Sequence, residues 1–145
     1  MIKENFQQTQ DFDFTFLRNK IERVSVSIGG VLGATATACG VFYTVTASCT
    51  VEEIWESHSV AGTDGNPVSL DIEKLASGVA LDSGVSILPS VYDMKSTANI
   101  PIRKTPTTTM ANRQLARGDR LALKNVGDWT GVAGLSVTLI IKYKL

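Results

Sequence analysis

The sequence holds one histidine, two cysteines and four prolines among 145 residues, and its 14 lysines and arginines balance its 14 aspartates and glutamates. Each scarcity excludes something. With a single histidine, any nucleophilic mechanism that needs an imidazole base has to use His58, and neither a GxSxG elbow nor a family context for Cys49 as nucleophile accompanies it. His58 reads as a strand-end histidine. Cys39 and Cys49 are too few for a disulfide framework and their spacing fits neither CxxC redox chemistry nor a zinc pair, so both read as reduced, structural thiols. Balanced charge gives the chain as a whole no pull on phosphates, which argues against a nucleic-acid partner. No stretch approaches the roughly 20 apolar residues of a membrane span, and the opening "MIKENFQQTQ" lacks the apolar core of a signal peptide. The expectation is a soluble protein made in a cytoplasm, with no membrane partner.

Metal and cofactor signatures are missing as well. Glu52, Glu53 and Glu56 precede His58, but HExxH is absent and one histidine does not build a usual zinc site without other ligands. Asp11 and Asp13 share a strand face and offer oxygens to a hard cation, yet nothing supplies the rest of a shell of about six. Gly29, Gly30 and Gly33 lack a P-loop lysine and lead into strand-like sequence, so no helix N-terminus awaits a phosphate. No cofactor, metal or catalytic residue is expected.

What the sequence has in abundance is alternation, the mark of half-buried strands, because successive side chains on a strand face opposite ways. In "DFDFTFL", Phe12, Phe14 and Phe16 share one face. Val24, Val26 and Ile28 do the same in "ERVSVSIGG", and Leu135, Val137, Leu139, Ile141 and Tyr143 in the last strand. "ATATACGVFYTVTASCTV" is rich in residues that fit a pleated surface, with Gly40 at a bulge or corner. "VEEIWES" is compatible with a short helical turn or a strand; the strand is preferred because Asp64-Gly65 is a hairpin signal and Val68, Leu70 and Ile72 then alternate. A hairpin over about residues 51–74 is therefore expected, with the glycine-containing "SGVALDSGVSILPS" crossing between sheets. Pro101 and Pro106 cannot donate to a ladder, which sends "NIPIRKTPTTT" to a sheet edge.

Many short strands and almost no helical pattern predict an all-β fold, an antiparallel β-sandwich of the jelly-roll kind. The expected organisation is an N-terminal extended arm or strand over residues 1–20 and a single sandwich domain over residues 21–145.

A resemblance goes further than the chemistry. The run "HSVAGTDGNPVSLDIEKLASGVALDSGVSIL", then "YDMKSTANIP", "ANRQLARGDRLALK" and a final apolar strand resemble, over about residues 51–145, the small β-sandwich virion proteins of tailed bacteriophages. The resemblance implies a capsid decoration (cement) protein or head fibre: a homotrimer on the outer surface of the virion whose partners are the major capsid protein and itself. Residues 1–30 have no firm counterpart in the group. The arm is accordingly expected to hold the contacts, with Phe12, Phe14 and Phe16 supplying apolar surface and Arg18 and Lys20 reaching acidic groups on the shell. Equally, the three phenylalanines fill the protein's own core.

Arg117-Gly118-Asp119 looks like an adhesion tripeptide. In the resembling proteins the recurring phrase is "GDRLAL", so Gly118 and Asp119 are read as a structural turn: Gly118 gives backbone freedom, Asp119 bonds turn amides, and Leu121 and Leu123 point inward. Two other readings stay open. A head-fibre or tail receptor- or glycan-binding module would stack sugars on Trp55, Tyr92 or Trp129, of which Trp129, in the glycine-bounded loop "NVGDWTGVAG", is the preferred contact. A cell-wall enzyme would use paired carboxylates such as Asp71 and Glu73.

Overall fold

The computed structural model describes residues 20–33 and 39–144, and these form two antiparallel sheets packed face to face. The first sheet is ordered β1 (Ile21–Val31), β10 (Ala133–Tyr143), β3 (Cys49–Ser57) and β7 (Ile102–Lys104), with β8 (Gln114–Leu115) also on β3. The second is ordered β2 (Val41–Thr44), β9 (Arg120–Val126), β4 (Ser69–Leu75) and β5 (Val85–Ser86), with β6 (Tyr92–Asp93) also on β4. Taking β5 with β6 and β7 with β8 as two interrupted strands leaves eight positions, ordered 1-8-3-6 and 2-7-4-5. That order is a jelly roll. One helical turn, α1 (Met110–Arg113), leads into β8.

Alternation explains the core. Along β10, Leu135, Val137, Leu139 and Ile141 are buried while Ser136, Thr138, Ile140 and Lys142 face out. They meet Leu70 and Ile72 of β4 and Leu121 and Leu123 of β9 across the sandwich. Full burial of such a side chain contributes about 1.5–3 kcal/mol.

The ambiguity of "VEEIWES" has a structural cause. Ile140 pairs with Glu53 and Ile141 with Val51, so Glu52 is an extra residue in β3. This β-bulge shifts the inward set from Cys49 and Val51 to Ile54, Glu56 and His58, and gives Val51 and Ile54 the three-residue spacing of a helix.

The expected hairpin over residues 51–74 does not form: β3 pairs with β10, β7 and β8, and β4 with β9, β5 and β6. Residues 58–68 instead carry the chain from one sheet to the other. Asp64 bends this crossover by accepting the Asn66 N–H at 3.3 Å, a local turn inside a connection too long for a hairpin. Conversely, the segment expected to cross between sheets stays on one, because β5 pairs back onto β4. Glu73 is the reason: buried on the outer face of β4, it accepts the Asp82 and Gly84 N–H groups at 2.7 and 2.9 Å and folds the loop onto that face. Arg120 and Lys124, outward on β9, add bonds to the Val79 and Asp82 carbonyls at 2.5 and 3.1 Å. β7, between Pro101 and Pro106, lies at the edge of its sheet.

Candidate functional site

Covering the second sheet with residues 76–84 leaves the first sheet's outer face as the broad open surface among the described residues. Strand register arranges it in rows. Ser25, Thr138, Trp55 and Arg103 lie side by side across β1, β10, β3 and β7. Ser27, Ser136 and Ser57 form the row on one side, and Arg23, Ile140 and Glu53 the row on the other. Trp55 is 36% exposed, whereas its neighbours Ile54 and Glu56 point into the core. Its indole N–H donates to Glu53 Oε2 at 3.1 Å, and Arg103 donates to Glu53 Oε1 at 2.9 Å. The Arg103 bond first, and then the Trp55 bond, hold the Glu53 carboxyl below its ordinary range. Ser25 and Thr138 hydroxyls meet at 2.9 Å.

A second group is enclosed. Glu56 Oε1 lies 2.8 Å from His58 Nδ1 with both side chains fully buried, and His58 Nε2 faces the Ser96 carbonyl at 3.3 Å. Tyr92, from the second sheet, donates to the Ile54 carbonyl of the first at 3.0 Å, with the Lys104 ammonium 4.7 Å above its ring. Lys104 also donates to the Ser90 and Val91 carbonyls at 2.8 and 2.7 Å. Burial raises the Glu56 carboxyl and the Tyr92 phenol and lowers the Lys104 ammonium. The group sews one edge of the sandwich together.

The other sequence-singled residues take structural places. Trp129, the preferred sugar contact, is 0% exposed and donates its indole N–H to the Ser69 carbonyl at 3.0 Å, beyond reach of a ligand. Tyr92 is likewise buried. Gly118 turns at φ +93°, and the Ala116 N–H donates to Asp119 Oδ2 at 2.9 Å, while Val45 pairs with both residues through its backbone. Asp71 accepts the Ser86 hydroxyl at 2.5 Å and Glu73 holds the 82–84 backbone, so neither carboxylate of the enzyme reading is free. Cys49 and His58 stand at opposite ends of β3, roughly 25–30 Å apart by strand rise. Burial pushes both thiols, Cys39 and Cys49, up to about 11, leaving them protonated at neutral pH. Among the described residues no three acidic, histidine or cysteine side chains converge as a metal site. A cleft of about 360 Å³ beside β8, lined in part by Cys49, Lys74, Asp119 and Lys144, has Lys74 already bonded to the Ala111 and Gln114 carbonyls at 2.5 and 3.3 Å.

Phe12, Phe14, Phe16 and Arg18 lie outside the described residues. Lys20 is described, and it belongs to the sandwich: its carbonyl accepts the Tyr143 N–H at 3.0 Å and its ammonium lies 5.2 Å from the Tyr143 ring.

The strand order of the two sheets defines the described residues as a jelly-roll β-sandwich. No protein-family model matches the chain, and no curated protein matches it. Among solved structures the fold is similar to the capsid of Ralstonia phage GP4, with TM-score 0.56 and 16% identity over 87% of this chain and 83% of that one. It is also similar to a chain of the cyanophage Pam1 capsid asymmetric unit, with TM-score 0.53 and 13% identity over 88% of this chain and 85% of that one. At these identities the likeness is one of fold.

Proposed function

We propose that the chain is a virion structural protein, a capsid decoration (cement) protein bound as a homotrimer to the outside of a phage head, where it stabilises the shell. The observation that supports this reading is the extent of the fold likeness: the match covers more than four-fifths of this chain and of each matched chain, and both matched chains come from phage capsids. The proposed partners are the major capsid protein and two further copies. A trimer that bridges neighbouring capsomers binds only the assembled shell, and by mass action such binding favours that state. Several weak contacts held in one trimer act together, so avidity replaces tight individual binding.

Immunogold labelling of particles whose genome encodes the chain, with an antibody against residues 51–145, tests the reading. Even label over the head is the expected result. Label confined to the tail would move the function to host recognition, and absence of label from particles would end the virion reading.

Residues 1–19 are proposed to form the attaching arm, with Phe12, Phe14 and Phe16 as its apolar contact and Arg18 as its cation. Deleting residues 1–16 is expected to abolish sedimentation with particles and to leave the melting temperature of the sandwich unchanged. A lowered melting temperature would mean instead that the phenylalanines fill the protein's own core.

A further inference from the structure

We propose that the outer face of the first sheet binds a carbohydrate, with Trp55 as the stacking platform and Glu53 and Arg103 as its hydrogen-bonding rim. Three observations carry this. First, Trp55 is an exposed indole at the middle of a four-strand face, and its orientation is fixed from its own edge, since the N–H is held by Glu53 at 3.1 Å. An exposed indole offers electron-rich π surface, which attracts the weakly positive C–H groups of a pyranose. Second, Glu53 and Arg103 form an exposed pair at 2.9 Å beside the ring. Each exposed Glu53 oxygen keeps a further lone pair and Arg103 keeps further N–H groups beyond the bond between them, so the pair can still accept from and donate to the hydroxyls of a sugar.

Third, the remaining residues of the face suit a sugar and do not suit a protein. Around Trp55 stand Ser25, Ser27, Ser57, Ser136 and Thr138, and Ile140 is the one aliphatic side chain in the three rows. A protein interface needs a desolvated apolar centre with several anchors, and one indole among hydroxyls does not provide it. Short hydroxyl side chains keep the surface flat and donate or accept as the ligand requires. The inference is independent of the capsid reading, because it concerns the sheet face and not the segment proposed for attachment.

Tryptophan fluorescence reads the site directly, since the chain has two tryptophans and the other, Trp129, is buried. The full-length chain is titrated with maltohexaose, cellohexaose and chitohexaose and applied to an array of bacterial surface polysaccharides. The expected result is saturable binding of at least one saccharide, accompanied by a change in Trp55 emission. Trp55→Ala should weaken that binding roughly 10-fold, and Arg103→Ala should weaken it too, both with an unchanged melting temperature. Failure of every saccharide to bind overturns the proposal, as does binding that Trp55→Ala leaves intact. If Trp55→Ala instead dissociates an oligomer in sedimentation, the face is a protein interface and the proposal is equally overturned.

Discussion

Trp129→Ala is expected to destabilise the protein by about 3–5 kcal/mol, the range for deleting a large aromatic side chain from a packed core. The residue lies in the β9–β10 connection, between Gly127 at φ +81° and Gly131 at φ +89°, two left-handed turns that glycine takes without strain. The side chain is part of the packed core, with no exposed surface. Its removal leaves a cavity, and it also strips the Ser69 carbonyl of its donor. For a chain of this length the loss corresponds to a fall in melting temperature of roughly 10–20 °C. Trp129→Phe separates the two contributions, since it keeps much of the ring and loses the N–H; it should fall about midway. Calorimetry of both variants checks the expectation. Wild-type stability in Trp129→Ala would contradict the burial and restore this loop as a ligand contact.

How far the sequence could be read follows from where local pattern and tertiary environment agree. β10 was fully legible because strict alternation over Leu135 to Tyr143 has one physical reading, a strand with one buried face. The jelly-roll class followed from strand density and turn chemistry. The hairpin at residues 51–74 misled because Asp64-Gly65 satisfies local turn chemistry equally well inside a crossover, and nothing local states which sheet each flanking strand joins. Trp129 misled for a related reason: flanking glycines mark a tight loop, and only tertiary packing decides whether that loop faces solvent or closes the core. The outward position of Trp55 is legible in the sequence, since an inward Ile54 on a strand obliges its neighbour to face out. Glu73 and Glu56 were illegible, because a carboxylate enclosed by backbone N–H groups or by an imidazole looks in sequence like any solvated strand carboxylate.

Glu56→Ala is expected to cost about 1–3 kcal/mol, in line with leaving a buried polar group without its hydrogen-bond partner, and the pH dependence of the wild type should disclose how the pair works. The Ser96 carbonyl beside His58 Nε2 can only accept, which fits the tautomer with its N–H at Nε2 and leaves Nδ1 to accept from a protonated Glu56 Oε1. With that proton on Oε1 the enclosed pair is an imidazole and a carboxylic acid, neutral overall. Among the described residues Glu56 Oε2 has no hydrogen-bond partner, and burial raises the carboxyl above its ordinary value of 4.5. In the unfolded chain Glu56 releases its proton near that ordinary value; in the folded chain it retains it to higher pH. The contribution to stability is therefore complete below 4.5 and is lost as pH rises through the raised folded value. Glu56→Gln keeps a hydrogen-bonding group against Nδ1 but cannot ionise. Its melting temperature should match the wild type at pH 4, exceed it at pH 8, and vary less between the two. Equal pH slopes in wild type and Glu56→Gln would show that this carboxyl does not titrate with folding. Equal stability of Glu56→Ala and wild type would show that the pair does not hold the edge where Tyr92 joins the two sheets.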